Sequence, residues 1–234
     1  MRLTDFNALS FDCYGTLIDW ETGLIAALKP GLGGNQDWEV VLAAFGRYET
    51  DIQMASPALA YPAVLAQAFL RVAKEFGGDP SPTLAQHFGQ SVGDWPAFAD
   101  TPAALASLRR HDQLFILSNV DRESFARSNV RLGVAFDGVF TAQDIGSYKP
   151  ARQNFAYLLS ELKKRGIERE QVLHVAQSLY HDHAPAQMEG IATAWIDRRK
   201  GKPGGATAPA GQGTRYDFRF ETLSALAEAR QRAR

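Results

Sequence analysis

The sequence has a single cysteine, Cys13, in 234 residues. That excludes an intramolecular disulfide and a cysteine-built structural zinc site. No apolar run approaches the roughly 18 residues that a membrane span needs. Neither charge is in excess: 25 Lys and Arg stand against 26 Asp and Glu, a formal net charge of −1. That balance argues against a general polyanion binder, so nucleic acid is not an expected partner. The opening residues, Met1-Arg2-Leu3-Thr4-Asp5, lack the pattern of a secretory signal. Apolar residues, by contrast, make up 45% of the chain and include 14 Phe, enough for a real core. The expectation is a cytoplasmic α/β protein: one large domain, or one core with an insertion.

Ala8-Leu9-Ser10-Phe11 is a short apolar run that ends at Asp12, with Gly15 soon after. This reads as a buried strand meeting a loop. From Trp20 to about Val92 no strand pattern occurs. Trp38 to Phe45 and Val64 to Ala73 have helical spacing, and Ser81-Pro82 reads as a helix start. About four helices are expected there. After a helix opened by Thr101-Pro102, segments at 114–117, 138–140, 171–176, 193–196 and 216–218 read as strands and alternate with helical segments, one over 153–164. A closing helix over 221–234 carries a basic end that suits the helix dipole. Alternation of this kind predicts a parallel sheet with helices on both faces and a ligand site at the carboxyl ends of the strands. Asp12, Ser118 and Gln177 follow strand ends and should converge. The Gly/Pro-rich segment 201–214 reads as a surface loop, and Arg198-Arg199-Lys200 as a solvated face.

Four segments carry the chemistry: Phe11-Asp12-Cys13-Tyr14-Gly15-Thr16-Leu17, Leu117-Ser118-Asn119, Tyr148-Lys149-Pro150, and Val175-Ala176-Gln177-Ser178-Leu179-Tyr180-His181-Asp182. An aspartate at a strand end facing a lysine from another loop is a nucleophile held ionised. Thr16 and Ser118 offer hydroxyls to orient Asp12 or to bind an anion. Backbone N–H groups after Asp12 can stabilise an oxyanion. In this order the four segments resemble the haloacid dehalogenase (HAD) superfamily, and the Asp-x-Tyr-Gly-Thr form resembles its L-2-haloacid dehalogenase branch. The resemblance implies a Rossmann-like, three-layer parallel-sheet core over residues 1–17 and 97–234, with an inserted α-helical cap over 18–96. It implies that Asp12 attacks C2 of a small 2-substituted carboxylic acid and that water cleaves the resulting ester. The implied catalytic residues are Asp12, Lys149, Asp182 and Ser118. The implied substrate-binding residues are Thr16, Tyr14, Asn119, Trp20, Arg47, Gln177 and His183. No metal and no cofactor are expected; a homodimer is in keeping with the branch.

Several positions depart from that pattern. Tyr14 stands where superfamily phosphatases carry the general acid that protonates a leaving alkoxide, and Gln177 stands at an acidic position of those enzymes. Both count against phosphoryl transfer, since a halide leaves without a proton. Gln177 and Leu179 replace the Ser and Asn of the dehalogenase branch, and Phe155 replaces its Tyr. Arg47, the only arginine of the first long cap helix, is matched to the arginine that the branch places near the leaving halide, yet Glu49 and Asp51 lie beside it. An acidic neighbourhood favours a cationic group over a departing anion. The alternative is therefore the related hydrolysis of L-azetidine-2-carboxylate, in which a ring amine leaves. Cys13 is assigned to the core, and His181 and His183 to loop hydrogen bonding, with one of them lining the pocket. Trp20, Trp38, Tyr48 and Tyr61 are read as cap aromatics, with Trp20 the best placed for the pocket.

Overall fold

The computed structural model describes residues 1–201 and 213–234. Most of the Gly/Pro-rich segment lies outside them. Six strands form one parallel sheet: β1 (Ala8–Phe11), β2 (Gln113–Ser118), β3 (Gly138–Thr141), β4 (Val172–Ala176), β5 (Ala192–Ile196) and β6 (Phe218–Phe220). Their spatial order is β3-β2-β1-β4-β5-β6. Every residue of β1 and β4 is buried, which is why both are apolar but for Ser10 and His174. The last strand begins two residues later than the sequence suggests. Its register is set by pairing, Ala194 with Phe218 and Ile196 with Phe220.

Successive side chains of a strand point to opposite faces, and the two faces carry two cores. Leu9, Phe11, Leu114 and Ile116 pack with Leu105 and Leu108 of α5 (Thr101–Arg109) and with Phe125 of α6 (Arg122–Leu132). Ala8, Phe115 and Leu117 pack with Phe155, Leu158 and Leu162 of α8 (Arg152–Lys163). Each such large apolar side chain contributes on the order of 2 kcal/mol when fully buried. The closing helix α10 (Leu223–Arg232) does more than answer its own dipole. Arg230 is buried and pairs with Asp112 through Nε at 3.1 Å.

Between β1 and α5 the chain forms α1 (Trp20–Leu32), α2 (Trp38–Ala55), α3 (Tyr61–Glu75) and α4 (Pro82–Gly89). The side chains of Asp19, Asp37 and Ser81 accept N–H groups of the first turns of α1, α2 and α4. Leu24, Phe45, Phe69 and Phe88 of these helices join the same core as Leu9 and Phe11. The insertion leaves and rejoins the rest at one point. Asp19 donates its N–H to Pro96 O at 2.8 Å, and Phe98 donates to Leu17 O at 3.1 Å. A short helix α7 (Ala142–Ile145) follows β3, and α9 (Ala184–Met188) follows a π-helical turn over Leu179–His183. No helix among the described residues is long and apolar enough to cross a membrane.

Candidate active site

β2, β1 and β4 are neighbours in the sheet, so their carboxyl ends bring distant segments together. Asp12 follows β1. Its chain turns sharply: the N–H groups of Thr16, Leu17 and Ile18 all point to Cys13 O. Gly15, at φ +93°, supplies the left-handed residue that this turn requires. Ser118 ends β2, and Asp182 lies in the π-helical turn after β4. Lys149 comes from the loop before α8, and Asn119 holds that loop in place. Its Oδ1 accepts the Lys149 N–H at 2.7 Å and its Nδ2 donates to Lys149 O at 3.1 Å.

The Lys149 ammonium is buried between two carboxylates. Nζ donates to Asp12 Oδ1 at 2.9 Å, to Asp182 Oδ1 at 2.6 Å and to Leu117 O at 3.0 Å. Three donors meet three acceptors, so the cation is fully satisfied. Burial alone would lower its pKa, but the two carboxylates outweigh burial and hold it above the ordinary lysine value. Thr16 donates to Asp12 Oδ2 at 2.6 Å. Burial raises the Asp12 carboxyl; Lys149 lowers it and Asp182 raises it again, leaving it above the usual value. Burial acts the same way on Asp182, but there Lys149 and a hydrogen bond from His174 win and hold it well below the carboxylate range. Lys149 thus holds the two carboxylates side by side, Asp12 open to the cavity and Asp182 backed by His174.

His174 sits on β4 behind Asp182. Its Nε2 lies 2.9 Å from Asp182 Oδ1 and its Nδ1 lies 3.0 Å from Ser10 Oγ. An ionised Asp182 only accepts, so Nε2 carries a proton. Sequence reading missed this residue, because a histidine within a buried strand carries no local signature. Asp182 Oδ2 has no partner among the described residues.

These groups open into a cavity of about 50 Å³ lined on one side by Asp12, Ser118, Asn119, Lys149 and Asp182. The insertion supplies the facing wall through Trp20, Glu49, Gln53 and Tyr61. Ser118 Oγ and Trp20 Nε1 are buried donors without partners among the described residues. Tyr14 lines the cavity with its ring, but its hydroxyl bonds Ser128 Oγ at 2.9 Å and burial drives its pKa well up. Cys13 is buried, and burial likewise raises its thiol well above the ordinary value.

Four expected substrate contacts lie elsewhere. Arg47 projects outward and pairs with Glu75 at 3.1 Å. It stands two residues from both Phe45 and Glu49, about 200° around α2 from that buried stripe. Thr16 is fully buried and, besides holding Asp12, accepts the Gln177 N–H at 2.9 Å. Gln177 lines a neighbouring cavity with Gly15, Phe98, Arg198 and Arg199. His183 is buried beneath the turn, its Nε2 lying 3.0 Å from Ala176 O; His181 lines the cleft in its place. Burial lowers the pKa of both histidines to about 4, so both are neutral near pH 7. Nor are Arg198 and Arg199 a solvated face. Arg198 donates to Thr16 O and pairs with Asp100 at 2.7 Å, while Arg199 pairs with Glu21 and Glu39 of the insertion.

A family model of haloacid dehalogenase-like hydrolases matches residues 6–180. The chain belongs to that family of hydrolases. No curated protein sequence matches it. Among solved structures it is similar to the L-2-haloacid dehalogenase of Xanthobacter autotrophicus: TM-score 0.78, 17% identity, 95% of this chain and 97% of that one covered. The same enzyme with chloropropionic acid covalently bound matches at 0.77 and 18%, over 95% and 97% of the two chains. The putative HAD-hydrolase YfnB from Bacillus subtilis, bound to magnesium, matches at 0.77 and 17%, over 99% and 100%. At these identities the likeness is one of fold. Magnesium prefers carboxylate oxygens. In this HAD-like hydrolase Asp12 and Asp182 both direct Oδ1 at Lys149, and no cluster of three His, Cys, Asp or Glu exists among the described residues. The donor set does not fit a magnesium site.

Proposed function

We propose that this hydrolase displaces a leaving group from C2 of a small 2-substituted carboxylic acid, with Asp12 as nucleophile. The observation that carries the reading is one buried ammonium shared by two carboxylates that line a small cleft. Thr16 and Lys149 aim Asp12. An Asp12 oxygen bonds to C2 as the leaving group departs with its electron pair on the opposite side, inverting C2. Ser118 and Trp20, with donors unpartnered among the described residues, take the substrate carboxylate. Water, held by Asp182 Oδ2, then attacks the Asp12 carbonyl carbon. One water proton leaves with the 2-hydroxy acid and the other passes to solvent, and the Asp12 carboxylate is restored with an oxygen from water. The helical insertion acts as a cap that limits water around the displacement. Phosphoryl transfer is disfavoured because Tyr14, with its hydroxyl engaged by Ser128, is no acid for an alkoxide.

For the leaving group, halide is the reading that the dehalogenase-like fold supports. A second reading, C–N cleavage of the L-azetidine-2-carboxylate kind, is favoured by one observation. The insertion wall carries Glu49, and Arg47 is turned away. Asp12→Asn tests what both share. It should lower turnover of 2-halo acids and of azetidine-2-carboxylate about 10,000-fold or more. Turnover near the wild-type rate, with deamidation excluded by mass, would contradict the scheme.

A further inference from the structure

Glu49 is a carboxyl in an unusual place. It is 5% exposed, on the buried stripe of α2, and lines the same cavity as Asp12. Its Oε1 accepts the Tyr61 hydroxyl at 2.8 Å. It makes no ion pair among the described residues, whereas the other two carboxyls of the cavity share Lys149. A buried carboxyl without a cation keeps its proton. Burial lifts its pKa to about 7, and the Tyr61 bond only partly opposes this. The cavity therefore has a nucleophile on its sheet side and a proton-bearing acid on its helical side. A halide needs no such acid, and a wall carboxyl is a poor neighbour for a departing anion. An amine does need one, since nitrogen leaves a saturated carbon readily only when it takes up a proton.

We propose that Glu49, positioned by Tyr61, donates a proton to a leaving nitrogen, so that the substrate class is small carboxylic acids cleaved at a C2–N bond. This rests on the Asp12 displacement argued above. An Asp12 oxygen bonds to C2 while the C2–N pair withdraws onto nitrogen, which takes the Glu49 proton. Hydrolysis of the ester consumes one water. Its oxygen goes to the Asp12 carboxyl, the alcohol leaves protonated, and the proton left over returns to Glu49. The sum is the substrate plus water giving a 2-hydroxy acid and an amine. A substrate whose ring nitrogen arrives protonated delivers the same proton count, with Glu49 ionised and facing the ammonium.

The test offers wild type, Glu49→Gln and Glu49→Asp two probes in heavy-oxygen water: L-azetidine-2-carboxylate and L-2-chloropropionate. Chloride release is the internal reference, so a general loss of fold cancels from the ratio of the two rates. The expected result is ring opening by wild type and a ratio of ring opening to chloride release that falls about 100-fold or more in Glu49→Gln. Glu49→Asp, which keeps an acid, should recover part of that ratio. An unmoved ratio, or chloride release by wild type without ring opening, overturns the proposal. Products formed with unlabelled Asp12 strike at the displacement scheme instead. Inertness of wild type towards both probes overturns the scheme and this proposal together.

Discussion

The two walls of the cleft are built by different means. The sheet wall draws Asp12 and Ser118 from the ends of β1 and β2 and Asp182 from the turn that follows β4, with Lys149 locked by Asn119. The insertion wall draws Trp20, Glu49, Gln53 and Tyr61 from the faces of three helices. On the sheet wall position follows from strand order, and a side chain at a strand end has little choice of direction. On the helical wall position follows from which face packs inward, and a rotation of one residue changes the chemistry presented. In the proposed reaction the sheet wall carries the displacement and the helical wall selects what is displaced.

Breaking the sheet wall should have the largest effect. Lys149→Met leaves two buried carboxylates facing each other without a cation. Turnover should fall about a thousandfold or more, and denaturant unfolding should show a loss of about 3–5 kcal/mol. A variant with near-normal rate and stability would mean that the ion triad is incidental.

Changing the helical wall should act on stability with a definite pH sign. Folded Glu49 keeps its proton to about pH 7, against an ordinary value of 4.5. Its facing groups include Tyr61 on α3 and, across the cavity, Asp12, Lys149, Asp182 and His181. Between those pH values the folded chain holds a proton that the unfolded chain has released, so stability falls as pH rises through that window. Glu49→Gln removes that loss. It should be more stable than wild type by about 3 kcal/mol at pH 8 and nearly equal to it at pH 4. Equal pH profiles for the two proteins would contradict the buried, protonated carboxyl.

The smallest effect is expected at the junction of the two walls. Arg199, from the segment after β5, pairs with Glu21 of α1 and Glu39 of α2. Arg199→Ala should lower stability by about 1 kcal/mol, an effect that salt diminishes. Protease cleavage near residues 18–19 and 96–97, where the insertion joins, should quicken. Unchanged cleavage would mean that apolar packing alone fixes the insertion.

The same contrast explains what could be read from the sequence. The apolar runs of β1, β2 and β4 and the residues ending them marked the sheet wall, because continuous burial and strand-end placement are local patterns. The helical wall was only half legible. Arg47 stands out as a charge, but the buried positions of α2 are Val41, Leu42, Ala44, Phe45, Gly46, Glu49, Ile52 and Gln53, and Arg47 falls between them on the outer side. A glutamate four residues after Phe45 on that stripe was the available signal. Gln177 follows its strand end as expected, yet its side chain lines the adjoining cavity with Arg198 and Arg199. The partners of those two arginines come from α1, α2 and the start of α5, which no local charge pattern discloses.

The central claim is that an Asp12 oxygen reaches carbon. Its most direct measurement is a single turnover of L-2-chloropropionate with excess enzyme in heavy-oxygen water, followed by the mass of the peptide that contains Asp12. The account predicts one heavy oxygen in Asp12 and none in the hydroxyl of the product. Heavy oxygen in the product hydroxyl, with Asp12 unlabelled, would mean that water attacks the substrate directly and would contradict the account.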